Sequence, residues 1–251
     1  MTKPTLESIT PCLPAGQGMF IIMEGLDGSG KTTACQTLCD AINAGLRSQL
    51  GTDANYIYTT HEPGGTPFAT DLREVFLRHA GDTSAVTQTF LINAARADHV
   101  EKVIRPAIAD GKIVICDRFT LSTYLYQFEM SIEDHLVLES FSSPDLMPDL
   151  AIVMTVRPEV SQQRTISRGN TNYFDEQHMS KLIARADRLN ELMSMVASSE
   201  LPIAYNCVGV DANDDLPTVI RHLNDVADAI ITQVMNRPHT EEWCDPDDSN
   251  V

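Results

Sequence analysis

Residues 25–33 read GLDGSGKTT, and their types and spacing are those of a phosphate grip. Gly25, Gly28 and Gly30, with Ser29 between them, let the backbone wrap a phosphate in successive N–H groups. Lys31 stands where an ammonium reaches the β- and γ-phosphates of a nucleoside triphosphate. The Thr32 hydroxyl is placed to ligand Mg2+, and Thr33 continues the opening of a helix whose positive end adds to the grip. The apolar run MFIIME precedes and an amphipathic stretch follows, the strand–loop–helix context that the pattern requires. A second carboxylate for the metal is expected at the end of another strand, and IVICDR supplies Asp117 after four apolar residues.

Such a grip serves motors, switches, ligases and kinases alike. The N-K-x-D base-reading motif of a GTPase switch is absent. Arg73, Arg96, Arg118, Arg164 and Arg168 fall at the ends of proposed strands and helices in a chain with 35 acidic and 18 basic residues. A kinase acting on a small phosphorylated acceptor needs such cations, to neutralise the acceptor phosphate and to cover the group in transfer. EPGGT (62–66) brings Glu62 and Pro63 to the same edge. STYLYQ (122–127) offers Ser122, Thr123, Tyr126 and Gln127 as hydroxyls and an amide. RPEVSQQRTISRGN (157–170) sets Arg164 and Arg168 four apart on one helical face, the spacing with which a closing lid would present two cations. The net charge of −17 argues against a general nucleic-acid binder, which needs a basic face, but not against an anionic small substrate.

These residues must be positioned by a sheet. Short apolar runs at 19–24, 55–60, 113–116, 150–155 and 203–206 read as strands buried on both faces. Between them, 31–47, 68–79, 84–109, 131–142, 176–198 and 215–235 read as crossover helices, with Pro106 kinking the third or ending it early. The expected fold is α/β, a doubly wound five-stranded parallel sheet flanked by helices. One domain is expected over 18–236, with a small lid at about 164–176, a flexible extension over 1–17 and an acidic flexible tail over 237–251 that carries Trp243. The six cysteines have no regular spacing, and Cys35 and Cys39 read as small buried helix residues. No apolar stretch reaches about 18 residues, so no membrane span is expected. The setting expected is a reducing cytoplasm, that of the host for a viral chain.

The run FIIMEGLDGSGKTT, EPGGT, ARADH, VICDRFTLST, PDL, PEV and the R-x-x-x-R-G of 164–169 resembles, in order and spacing, the thymidylate kinases. The likeness extends from about residue 19 to 212. It implies the nucleoside-monophosphate-kinase fold, transfer of the ATP γ-phosphate to dTMP in nucleotide biosynthesis, Mg2+ dependence and a homodimer. It also implies roles. Asp27 resembles the carboxylate near metal and acceptor phosphate, and Arg118 the arginine bridging donor and acceptor phosphates. Arg73 resembles an acceptor-phosphate contact, and Arg96 the reader of the thymine carbonyl edge. Thr123, Tyr126 and Gln127 resemble deoxynucleoside contacts, with Tyr126 near the sugar 2′ position. VDAND (210–214) resembles the loop flanking adenine. The family supplies a catalytic cation from the phosphate loop or from the lid. With Gly28 at the loop position, Arg168, together with Arg164, becomes the candidate.

Two features depart from that family. Ile92 stands four residues before Arg96, where the family usually has a Phe stacking on thymine, and Phe90 would point elsewhere. Base–aromatic stacking is worth about 1–3 kcal/mol, so a looser base pocket is expected, in which dUMP or a 5-substituted dUMP competes. GNTNYFDE lacks the Asp-Arg pair often found after Arg-Gly, and Leu125 is bulkier than the usual Ala. A kinase of another deoxypyrimidine monophosphate, or a nucleotide-binding regulatory protein without turnover, are the other readings.

Overall fold

The structure, a computed structural model, describes residues 18–51, 55–127, 130–169, 173–174, 178–197 and 206–236. β1 (Met19–Gly25) leads through the glycine-rich loop into α1 (Lys31–Leu50). Next come β2 (Ile57–His61), α2 (Pro67–His79), α3 (Ala85–His99), a π-helical turn (Val100–Ile104), α4 (Arg105–Ala109) and β3 (Ile113–Asp117). The second half runs α5 (Thr120–Tyr126), α6 (Ile132–Ser142), β4 (Leu150–Thr155), α7 (Pro158–Ser167), α8 (Met179–Ala197), β5 (Asn206–Asp211) and α9 (Leu216–Met235). The strands form one parallel sheet in the order β2-β3-β1-β4-β5, the doubly wound arrangement expected. The carboxyl ends of β1, β2 and β3 therefore meet on one edge, where open α/β sheets bind their ligands.

Strand parity makes the two cores. Met19, Ile21 and Met23 of β1, with Ile113, Ile115, Ile152 and Met154, pack against α1 and α9. Phe20 and Ile22, with Val114, Cys116, Ala151 and Val153, pack against the π turn, α4, α5 and α8. Each Val, Ile, Phe or Met among them taken fully out of water contributes about 1.5–3 kcal/mol. Leu125 is buried in this second core rather than exposed to the site. Helix starts follow local chemistry: Thr66, Ser84, Ser131 and Asp215 each accept an N–H from the first turn of the helix that follows.

The structure corrects several boundaries. β2 begins two residues later than expected, because the Asn55 side chain accepts the Ile57 N–H. The strand expected at 203–206 is found as β5 at 206–211, with 203–205 outside the described residues. β5 is a half-exposed edge strand containing Gly209, so it has no apolar run to betray it. Pro106 does not end its helix. The helix widens into the π turn just before it, in which the Arg105 N–H bonds Val100 O. The expectations for 1–17 and 237–251, and for much of the lid at 164–176, lie outside the described residues; 164–167 belong to α7. Cys35 and Cys39 are free thiols on α1. Among the described residues no helix is long and apolar enough to cross a membrane.

Candidate active site

The loop from Gly25 to Gly30 lies beneath α7. Gly28 has φ +71, and a Cβ there would stand 2.5 Å from Ser161 O and 2.7 Å from Thr165 Oγ1. Ser161 Oγ in turn donates to Asp27 O at 2.6 Å. Lys31 is folded back on the loop, its Nζ donating to Gly25 O (3.0 Å) and Leu26 O (2.8 Å). Burial and the neighbouring Arg118 bring its ammonium down to about 8, against the pull of Asp27 and Asp117. Ser29 Oγ is buried without a hydrogen-bond partner, and Thr33 lies at the exposed start of α1.

Asp117 ends β3 beside this loop. Thr32 Oγ1 stands 3.3 Å from Asp117 Oδ2, and Asp117 Oδ1 is buried with no partner. A hydroxyl and a carboxylate with an unmet acceptor are oxygen donors that fit Mg2+. Among the described residues there is no cluster of three His, Cys, Asp or Glu able to hold a metal. A magnesium here would complete its shell with water and phosphate oxygens.

Arg118, the next residue, has φ +72, a left-handed conformation that non-glycine residues adopt at a cost of order 1–3 kcal/mol. Its N–H bonds Met23 O (2.9 Å), which fixes the turn. The guanidinium spans to Asp27 Oδ1 (2.6 Å), Ser122 Oγ (3.0 Å) and Tyr126 OH (3.3 Å), while Tyr126 OH donates to Asp27 Oδ2 (2.6 Å). Burial raises the Asp27 carboxyl, but Arg118 and then Lys31 outweigh it and hold the group well below the usual carboxylate range. Glu24, a residue no motif singled out, holds the frame. Fully buried near the end of β1, it accepts from Phe119 N (2.8 Å), Ser122 N (3.2 Å) and Ser122 Oγ (2.6 Å). Its one visible signal is a carboxylate at the close of an apolar strand.

A cleft of about 640 Å³ opens beside this constellation. It gathers every residue expected to meet the acceptor: Asp27, Glu62, Pro63, Arg73, Ile92, Arg96, Arg118, Ser122, Thr123, Tyr126 and Gln127. Arg96 is buried and directed by Glu62 Oε2 (2.8 Å) and Thr123 Oγ1 (2.8 Å). Glu62 is held from its other side by His99 Nδ1 (3.3 Å), whose Nε2 pairs with Thr60 Oγ1 (2.7 Å). Gly65 must be glycine here, since a Cβ would meet the His99 ring at 2.2 Å. The Glu62–Pro63 peptide is cis, and Arg73 Nη1 donates to Pro63 O (3.2 Å). Four further residues line the cleft: Phe76, Leu77, Phe119 and Phe174. Phe90 is exposed, away from it, as its spacing implies.

The arginines of α7 part company. Arg164 Nη2 donates to Ala212 O (3.0 Å) and lines a second cleft of about 700 Å³ with Ser29, Gly30, Thr33, Ala212 and Asp214. Arg168 is exposed at the C-terminal end of α7 and is not part of either cleft. The four-residue spacing therefore does not direct both cations to one place.

A parallel sheet carries a phosphate loop at its central strand, and two clefts meet that loop, one lined by Asp27 with Arg73, Arg96 and Arg118, the other by Ser29 and Gly30 with Arg164. This is the nucleotide-dependent phosphotransferase class, built on the nucleoside-monophosphate-kinase plan. The model of the thymidylate kinase family matches residues 23–203. The chain is similar to the thymidylate kinase of Pseudomonas entomophila (strain L48), 43% identical over 164 residues that cover 64% of this chain and 74% of that protein. It is 40% identical, over the same shares, to that of Pseudomonas savastanoi pv. phaseolicola (strain 1448A / Race 6), and 42% identical to that of Pseudomonas putida F1. The chain belongs to the thymidylate kinase family.

Proposed function

We propose that the chain transfers the γ-phosphoryl group of ATP to dTMP, giving dTDP and ADP. The observation that carries this reading is the Asp27–Arg118–Tyr126 constellation lining the first cleft, with Asp27 on a phosphate loop whose later residues, Ser29 and Gly30, line the second. In the transfer, the bond from the γ-phosphorus to the oxygen of ADP breaks and a bond to an acceptor phosphate oxygen forms. Little covalent chemistry falls to the protein, so positioning and charge neutralisation dominate. Lys31 leaves the loop carbonyls for the donor phosphates. Arg118 neutralises donor and acceptor together, with Arg73 on the acceptor side. Arg96, Thr123 and Gln127 hold the nucleoside, and Asp27 with Tyr126 keeps the Arg118 fork aligned. Arg164 borders the donor base, and Arg168, exposed at the end of α7 and outside both clefts, would have to swing inward to serve as the cation for the group in transfer. Mg2+ held by Thr32 and Asp117 would offset charge on the phosphates. The free thiols of Cys35, Cys39, Cys116 and Cys207 support a reducing, cytoplasmic setting. Exposed Val86 and Phe90 on α3 with Val137 and Phe141 on the adjoining α6 support a homodimer.

ADP release measured with ATP and Mg2+ across dTMP, dUMP, dCMP and dGMP tests the activity. The expected result is release stimulated most by dTMP. Equal basal hydrolysis with and without every monophosphate would overturn it.

A further inference from the structure

The cleft contains aromatic surface in a place the sequence pattern does not indicate. Ile92 lines it without a ring, and Phe90 on the same helix is 59% exposed. Phe174, in the connection between α7 and α8, lines the same cleft and is 7% exposed. Its ring lies 5.2 Å from that of Phe76 on α2, within 16° of parallel, and the pair packs in one apolar cluster with Ile92 and Ala80. Tyr126 meets Phe174 edge-on at 5.7 Å. The Arg185 guanidinium of α8, itself buried, stands 4.3 Å from the Tyr126 ring centroid and 5.7 Å from that of Phe174. Four elements thus fix Phe174 beside the residues that hold the nucleoside.

We propose that Phe174, braced by Phe76, supplies the aromatic contact to the acceptor pyrimidine that position 92 cannot make. This rests on the reading of the cleft as the dTMP site. An aromatic wall contacting the base through its ring discriminates bases from ligands that have none, and removing the ring weakens binding about tenfold or more. Phe174 is a specificity-determining residue in this scheme. It touches the base and not the reacting phosphates, so donor binding is independent of it.

Calorimetric titration of the full chain with dTMP, with ATP, and with 2-deoxyribose 5-phosphate, which lacks the base, tests the proposal on Phe174→Leu and Phe174→Tyr. Phe174→Leu is expected to raise Kd for dTMP at least about tenfold while leaving ATP and the abasic phosphate within about twofold. Phe174→Tyr, which keeps the ring, is expected to stay near wild type. An unchanged dTMP affinity in Phe174→Leu would overturn the proposal, as would equal weakening of dTMP and the abasic phosphate, the mark of general damage to the cleft. Failure of wild-type protein to bind dTMP would instead overturn the functional reading, so the two failures are distinct.

Discussion

At the scale of the residue, the site depends on a few charges held where water does not screen them. Lys31 is the sharpest case. Burial and Arg118 bring its ammonium down to about 8, so free enzyme holds a protonated Lys31 below that pH and loses the charge above it. In the proposed function, donor phosphates bind the cationic form. With dTMP saturating, kcat/KM for ATP is expected to stay level from pH 6.5 to about 7.5 and to fall as pH rises through 8, approaching tenfold per pH unit. The quantity reports the free enzyme, so the midpoint reads the group before ATP arrives. A profile level to pH 9.5 would show that the carboxylates Asp27 and Asp117 outweigh burial. Most of this charge pattern was legible in the chain: the loop, Asp117 and Arg118 lie in contiguous motifs. Glu24 and His99 were not, because each acts through partners distant in sequence, Glu24 on Ser122 and His99 on Glu62. Phe174 was illegible for the same reason: neither Phe76 nor Tyr126, the rings it meets, is near it in sequence.

At the scale of the element, α7 decides what the phosphate loop can carry. Its backbone at Ser161 and the Thr165 hydroxyl fill the space where a side chain at residue 28 would begin. A loop so covered has no room for a cation of its own. Gly28→Ala combines a left-handed backbone, unfavourable by about 1–2 kcal/mol for a residue with a Cβ, with displacement of α7. A fall in Tm of about 4 °C or more is expected by calorimetry, together with a raised KM for ATP, since the loop must shift. Unchanged values for both would mean that α7 yields freely. The elements themselves divide by burial in how readable they were. β1, β3 and β4 are buried on both faces, so their apolar runs mark them to within a residue or so. The edge strands β2 and β5 have mixed composition because one side meets solvent, and both were displaced in the sequence reading. The π turn was foreseeable only as a disturbance at Pro106, since a proline says that a hydrogen bond is lost and not how the helix absorbs the loss.

At the scale of the whole molecule, the two faces of the sheet are both covered, yet the outer layer is not uniformly polar. Phe141 on α6 is 77% exposed and Phe90 on α3 is 59% exposed, with Val86 and Val137 on the same two helices. Neighbouring exposed aromatic and aliphatic side chains on packed helices are unusual on a solvent face and usual at a subunit contact. One of these helices also lines the first cleft, and the other braces that helix. α3 bears Ile92 and Arg96, and α6 supports α3 through Ser142, whose Oγ donates to Asn93 Oδ1 at 2.7 Å. A self-association across α3 and α6 would therefore stiffen the helix that holds Arg96. Phe141→Asp would place a charge within such a contact without touching either cleft, and a buried unpaired charge is strongly unfavourable. Sedimentation velocity is expected to give a dimer for the unmodified chain and a monomer for Phe141→Asp. Stability of the variant is expected to become independent of protein concentration, whereas a dimer's rises with it. A dimer that survives Phe141→Asp would move the contact to another face and leave the exposed α3–α6 side chains without that role.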